Sequence, residues 1–274
     1  MVLLPERRVS RMAEWARRIS GFSLVLLVVA CLAHRYAFIE TIGFFWVLGL
    51  VAALALTGLA LAVGGFFRLW EYGEKAGRAS LAATVLSAIV LVPYLGGAWL
   101  VLSNPALNDI STDLLEPPEF ARAARARSAE MNQIGPIGAE AADLQVRNYP
   151  DVSARRYDAS TARVLSAVAA VIAARGWTPY APLPTDADAG EVVIEVEAPT
   201  WLVRLPADAA IRLTDEGEST FVDMRLAARY GLHDLGDGAR RIRAFMADLD
   251  AEFNRQSLEI IDIPASGEEE DAVD

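Results

Sequence analysis

Residues 221–254 read FVDMRLAARYGLHDLGDGARRIRAFMADLDAEFN, and the order of residue types in this stretch decides the fold of the second half of the chain. Val222, Met224, Leu226, Ala228 and Tyr230 alternate with Phe221, Asp223, Arg225, Ala227 and Arg229, the two-residue period of a strand whose two faces meet different surroundings. Gly231, Gly236 and Gly238, mixed with His233, Asp234 and Asp237, form a turn. Ile242, Phe245, Met246, Leu249 and Phe253 then recur at the three- and four-residue spacing of an amphipathic helix, from about Gly238 to Asn254.

Working outward, Glu191 to Ala198 alternates again, with Val192, Ile194 and Val196 on one side and Glu191, Glu195 and Glu197 on the other. Ala209 to Thr214 places Ile211 and Leu213 inward and Arg212 outward, and Asp215-Glu216-Gly217-Glu218 turns the chain back. Upstream, Asp158 or Ser160 can cap a helix with Val164, Leu165, Val168, Val171 and Ile172 on one face. Gly176 ends that helix, with Trp177 after it. Helix, three antiparallel strands and helix over residues 149–257 predict a small α+β domain, an antiparallel sheet with helices on one face. The other face then displays Glu195, Glu197, Arg212, Asp223, Arg225 and Arg229. Residues 103–148 read as a linker and lead-in segment, broken at Asn104-Pro105, Pro117-Pro118 and Gly135-Pro136. Arg122, Arg125 and Arg127 fall on a short Ala/Arg-rich helix and are expected to be solvated. Residues 258–274 are expected to form an acidic, disordered tail.

The first 102 residues are of another kind. Apolar runs predict three transmembrane helices, at about 19–37, 41–67 and 80–102, an all-α three-helix membrane region. The first run is short and basic at its front, so a cleaved signal peptide, or a lipoprotein signal ending at Cys31, competes with a retained span. Two long spans follow, which favours retention. Small residues recur at helical spacing, Gly49 with Ala53 and Gly58 with Ala62, and let helices approach closely, within the chain or in a homo-oligomer. No acidic or basic residue lies within the second or third run, against an ion or proton path. Arg7, Arg8, Arg11, Arg17 and Arg18 precede the first span, Arg68, Lys75 and Arg78 sit in the second loop, and no basic residue follows the third span until Arg122. The positive-inside bias therefore predicts a multi-pass bacterial inner-membrane protein with a cytoplasmic N-terminus and a periplasmic C-terminal domain.

Charge excludes some partners. The net charge of −11 is concentrated in residues 103–274, which hold sixteen Arg against thirty-one Asp and Glu. Nucleic acid is excluded as a partner, since phosphate neutralisation demands a basic face. One cysteine, Cys31, and two histidines, His34 and His233, allow neither an intrachain disulfide nor a Cys/His zinc site. No metal or cofactor is expected.

Asp109-Ile-Ser-Thr-Asp113, Pro117-Pro118-Glu119-Phe120, Tyr149-Pro150-Asp151, Arg175-Gly176-Trp177 and Val222 through Gly236 together resemble the domain-of-unknown-function family 1499 over about residues 104–255. The three-span front end resembles bacterial members of that family. The chain departs from the pattern at Leu226 and Ala228, where members often carry serines, and at Gly238, where Asn is usual. The resemblance supports the parse and implies no reaction.

No Gly-x-Ser-x-Gly elbow and no glycine-rich phosphate loop is present. Glu195 and Glu197 share a strand face, but an open sheet face solvates such pairs rather than setting them in a glycosidase cleft. No catalytic residue is assigned. The candidate ligand-binding set is Arg225, Arg229, Gly231, His233, Asp234 and Gly236, where guanidinium forks and the start of the last helix suit an anion. The competing reading, with Asp223, Arg212 and Asp237 as its core, is an internal clamp joining strand to helix. The favoured function is a non-enzymatic binding or envelope-scaffold module. Its partners are the lipid bilayer together with an envelope protein or a small anionic ligand. The alternative is an enzyme or lipid-handling factor using the face around Arg225, Arg229 and Asp234.

Overall fold

The computed structural model describes residues 8–184 and 190–261. The chain divides into two compact units, Met1–Ser103 with Thr200–Leu205, and Asn104–Pro199 with Pro206–Asp274.

The first unit contains α1 (Arg11–Arg35), α2 (Thr41–Tyr72) and α3 (Gly77–Ser103), each long and apolar enough to cross a membrane. The outward surface is what lipid requires: Trp46, Trp70 and Leu95 are exposed, and such surface in water would mark an aggregation site. Small residues hold the interior together, since helices in lipid associate by close backbone approach. Ala16, Ala62 and Ala83 form one wholly buried contact, and Val51, Ala55 and Val90 another. A Cβ on Gly58 would run into the Ser20 side chain and lie 3.3 Å from Ser87 Oγ. Those two hydroxyls hydrogen-bond at 2.9 Å. Gly49 has no such neighbour. Pro93 sits within α3, and Tyr94 beside it donates to Leu48 O on α2 at 2.8 Å.

The second unit is an antiparallel sheet with helices. Its elements are β1 (Asp109–Ser111), α4 (Arg122–Ala126), α5 (Ala139–Asn148), β2 (Arg155–Tyr157), α6 (Thr161–Ala174), β3 (Thr178–Pro179), β4 (Glu191–Glu197), β5 (Ala207–Asp215), β6 (Thr220–Ala228) and α7 (Asp237–Ile261). The strand order is β1-β6-β5-β4-β3, with β2 also pairing to β6. Val222, Met224 and Leu226 of β6 join Ile211 and Leu213 of β5 in the core with Val164, Val168 and Ile172 of α6 and Ile242, Phe245 and Leu249 of α7. Trp177 stacks on Phe245 at 5.6 Å between ring centroids. Leu226, which stands where the resemblance leads one to expect a serine, is part of this core.

The structure differs from the sequence reading in several features, beginning with a sheet of six strands, β1, β2 and β3 being added to the three expected, and with the helix α5. The last helix continues past Asn254 to Ile261; the rest of the expected acidic tail lies outside the described residues. Residues 104–148 are not a bare linker: β1 pairs with Ala227, Leu226 and Arg225 of β6, and its Ile110 is fully buried. The short strand was hidden because three residues are too few to display a period. Finally, the polar face of the sheet is not open. Phe120 and Ala123 cover part of that face by packing on its Ala210 and Ala227; Arg225 is buried against Phe120 and Asp223 beside Thr112. Arg127 is not solvated either; its side chain is 1% exposed.

Candidate functional site

The polar face of β5 and β6 carries three guanidinium clamps. Their spacing follows from strand geometry: Asp208, Ala210 and Arg212 alternate along β5, and Asp223, Arg225 and Ala227 along β6, with Arg212 paired in register to Asp223 and Asp208 to Ala227. Small Ala210 and Ala227 leave height above the sheet for long side chains and for the covering segment.

The innermost clamp is centred on Asp208, which is wholly buried. Its Oδ2 accepts from Arg127 Nη2 at 2.7 Å and Nε at 2.9 Å. Its Oδ1 accepts from Arg229 Nη2 at 2.8 Å and from the Tyr180 hydroxyl at 2.7 Å. Arg229 also pairs with Glu197 and donates to Tyr180 Oη at 2.6 Å. Arg127 spends its remaining donors on Asn132 O at 2.6 Å, Ala227 O at 2.9 Å and Ala228 O at 3.4 Å. Burial alone would lower the Arg229 pKa, but Asp208 and Glu197 outweigh it and raise it. Burial, and the bond to Asp208, push the Tyr180 phenol above its ordinary value.

In the second clamp Arg225 forks onto Asp109, Nε to Oδ1 at 2.9 Å and Nη2 to Oδ2 at 2.7 Å, and Nη2 also reaches Gly135 O at 2.6 Å. Phe120 lies over the guanidinium, 5.3 Å from ring centroid to Cζ, a cation–π contact. The third clamp joins Arg212 Nη2 to Asp223 at 2.9 Å and to Asp113 at 3.0 Å. Thr112 Oγ1 donates to Asp223 at 2.9 Å. Burial tends to raise the Asp113 pKa, yet the amides of Glu116 and Leu115 and the Arg212 guanidinium hold it below the ordinary value. The Glu195 carboxylate accepts from the amides of Arg122 and Ala123, at the start of α4. Glu195 and Glu197 are therefore each tied to a different partner.

The corner at residues 231–238 is organised as a cap. Asp234 Oδ1 accepts from Gly236 N at 2.9 Å and Oδ2 from Gly238 N at 2.7 Å. The start of α7, which attracts an anion through free amides and the helix dipole, thus carries one of the chain's own carboxylates. Burial pushes the Asp234 pKa up, against the pull of those two amides. His233 Nδ1 accepts from Leu235 N at 2.9 Å, which leaves the ring proton on Nε2 facing Asn104 O at 3.1 Å. Gly236 has φ +74°, and a Cβ there would meet the Asn104 side chain. Gly231 O accepts from Asn108 and Asn132 side chains at 2.9 and 2.7 Å.

Of the residues singled out from sequence, Arg225, Arg229, Arg212 and Asp223 lie on the polar face of the sheet, whereas Gly231, His233, Asp234, Gly236 and Asp237 build the turn into α7. Asp237 bonds within its own helix to Arg240 and Arg241. A groove of about 560 Å³ is lined by Thr112, Asp113, Leu115, Val146, Phe221 and others, and a second of about 310 Å³ by Asp151, Arg155 and Arg243 among others. None of the six candidate ligand-binding residues lines either groove. Sequence reasoning missed Asp109, Arg127, Tyr180 and Asp208. Only Asp208 carried a local signal, an acid on the Arg212 side of a strand whose alternation is first visible one residue later.

A comparison with curated proteins returns no match. The family model described as "Protein of unknown function (DUF1499)" matches residues 109–249, a span from β1 to the middle of α7 that holds all three clamps and the cap. That is just over half of the 274 residues, and the chain belongs to the DUF1499 family.

Proposed function

We propose that this chain is a multi-pass protein of a bacterial inner membrane, with a cytoplasmic N-terminus and a periplasmic α+β unit that serves as a binding or envelope-scaffold module rather than as a catalyst. One observation carries the reading of the module: the guanidiniums of Arg212, Arg225 and Arg229 each hold at least one carboxylate of the same chain. Asp234 is likewise taken up by the amides of Gly236 and Gly238. An enzyme or lipid-handling factor using Arg225, Arg229 and Asp234 must first release them from these partners, at the cost of leaving charge buried. The placement rests on Arg7, Arg8, Arg11, Arg17 and Arg18 up to the first turns of α1 and on Arg68, Lys75 and Arg78 around the α2–α3 connection, against no basic residue from Ser103 to Ala121.

Two measurements on the full chain test this. Alkaline phosphatase fused after Asp274 should be active, and a reporter that works only in the cytoplasm should be silent there; the reverse pattern overturns the placement. Arg229→Ala in proteoliposomes should lower the unfolding midpoint, and binding of inorganic phosphate should be at background in parent and variant alike. Phosphate binding by the parent that Arg229→Ala abolishes without loss of stability would instead show an open anion site at these arginines, which the enzyme or lipid-handling alternative requires, and would overturn the reading of them as internally held.

A further inference from the structure

We propose that Trp201 and Leu202 form a lipid-contacting tip, seated in the headgroup and acyl boundary of the bilayer that α1, α2 and α3 cross. Residues 200–205 connect β4 to β5 in sequence but cluster with the apolar helices. The reason is a set of hydrogen bonds to the end of α1. Arg35 Nη1 donates to Trp201 O at 2.5 Å and Leu202 O at 2.8 Å, and His34 Nδ1 pairs with Val203 O at 2.6 Å. His34 is itself fixed by Thr41 Oγ1 at 3.1 Å and by stacking on Phe44 at 4.5 Å. Three successive carbonyls are thereby bound at the end of a candidate membrane span.

The loop is also closed on itself. Thr200 N donates to Leu205 O at 2.9 Å, Leu205 N to Thr200 Oγ1 at 2.8 Å, and Arg204 N to Thr200 O at 3.1 Å. With its backbone so constrained, the tip nevertheless leaves Trp201 85% and Leu202 67% exposed. Tyr36 and Phe38, in the α1–α2 connection next to Arg35, are exposed as well. A tryptophan, a leucine and further aromatics gathered at one end of a span, beside an arginine, is the composition of a membrane-interface belt, where apolar rings and chains enter the boundary and polar groups stay wet. Phospholipid is the occupant that fits, because the tip is continuous with a surface that must already be in lipid.

The proposal rests on α1–α3 as spans, so the test reports on both separately. In a Cys31→Ser background, which removes the sole cysteine, single cysteines at Leu202, at Leu95 on the exposed face of α3 and at Glu218 in the β5–β6 turn carry an NBD label. The full chain is reconstituted in phosphatidylcholine/phosphatidylglycerol vesicles with nitroxides at shallow or deep acyl positions. The expected result is several-fold stronger quenching of Leu202→Cys by the shallow nitroxide than of Glu218→Cys, with Leu95→Cys quenched best by the deep one. Leu202→Cys matching Glu218→Cys while Leu95→Cys is quenched overturns the tip and keeps the spans. Blue-shifted emission at Leu202→Cys without nitroxide quenching overturns it in favour of a protein contact, and an unquenched Leu95→Cys overturns both readings. Trp201→Cys supplies a second tip position should Leu202→Cys fail to fold.

Discussion

Replacing Asp208 by Ala should be among the costly single changes available in the α+β unit, and its size can be worked from the geometry. The carboxylate is wholly buried and answers Arg127 at 2.7 and 2.9 Å, Arg229 at 2.8 Å and Tyr180 at 2.7 Å. Its loss leaves the Arg127 guanidinium, 1% exposed, with backbone carbonyls but no counter-charge; Arg229 keeps the Tyr180 hydroxyl and, as counter-charge, the half-exposed Glu197. Breaking a buried pair by removing one partner costs about 3–5 kcal/mol. With a urea dependence on the order of 2 kcal/mol per molar, the midpoint should fall by roughly 1.5–2.5 M. The assay is pulse proteolysis of the full chain in detergent, following loss of the intact α+β unit across a urea series. A triple variant decides the mechanism: Arg127→Met and Arg229→Met added to Asp208→Ala remove the stranded charges and should recover at least about 1 kcal/mol relative to the single variant. A loss below about 1 kcal/mol for Asp208→Ala, or a triple variant whose losses simply add, would refute the view that stranded buried charge is what destabilises.

Two further outcomes follow from other parts of the molecule. Tyr180 keeps its proton in the folded state above the ordinary phenol pKa of 10.0, so the unfolded chain releases that proton first as pH rises. Stability present below pH 10 should therefore decline as pH rises above it, and Tyr180→Phe, followed by unfolding midpoints from pH 8 upward, should flatten that decline. In the membrane unit, Gly58→Val should disrupt the contact with Ser20 and Ser87 and reduce the folded yield in detergent, whereas Gly49→Ala, with open space around it, should leave the yield unchanged; equal behaviour of the two contradicts the packing described.

The elements read correctly from sequence are those with a long period or a long apolar run. β4, β5, β6, α6 and α7 each show several repeats of their own spacing, the runs of α2 and α3 exceed the span length outright, and the shorter run of α1 is read as a span from the two that follow it. What escaped was mostly short or non-local, the exception being α5, ten residues within the segment read as a lead-in. β1 has three residues, β3 has two, and neither can announce a period. Arg127 looked like one more arginine on a polar helix because its partner, Asp208, is 81 residues away. The alternation in β6 showed correctly which side chains share a face but could not show that residues 112–135 cover it. For the same reason the clamp and the anion site were indistinguishable in sequence: both require arginines beside glycines, and they differ only in whether a carboxylate from elsewhere in the chain arrives first.

The pairing of β1 with β6 also sets a timetable. Asp109 meets Arg225 across 116 residues and Arg127 meets Asp208 across 81, and the chain between partners so distant must give up its freedom before they pair. A chain synthesised only as far as residue 206 has neither β5 nor β6, so β1 has no edge to join and the clamps no sheet to stand on. Within the α+β unit the segment made first thus waits for strands made later: β1 cannot pair before β6 exists, nor Arg127 be buried against Asp208 before β5 does.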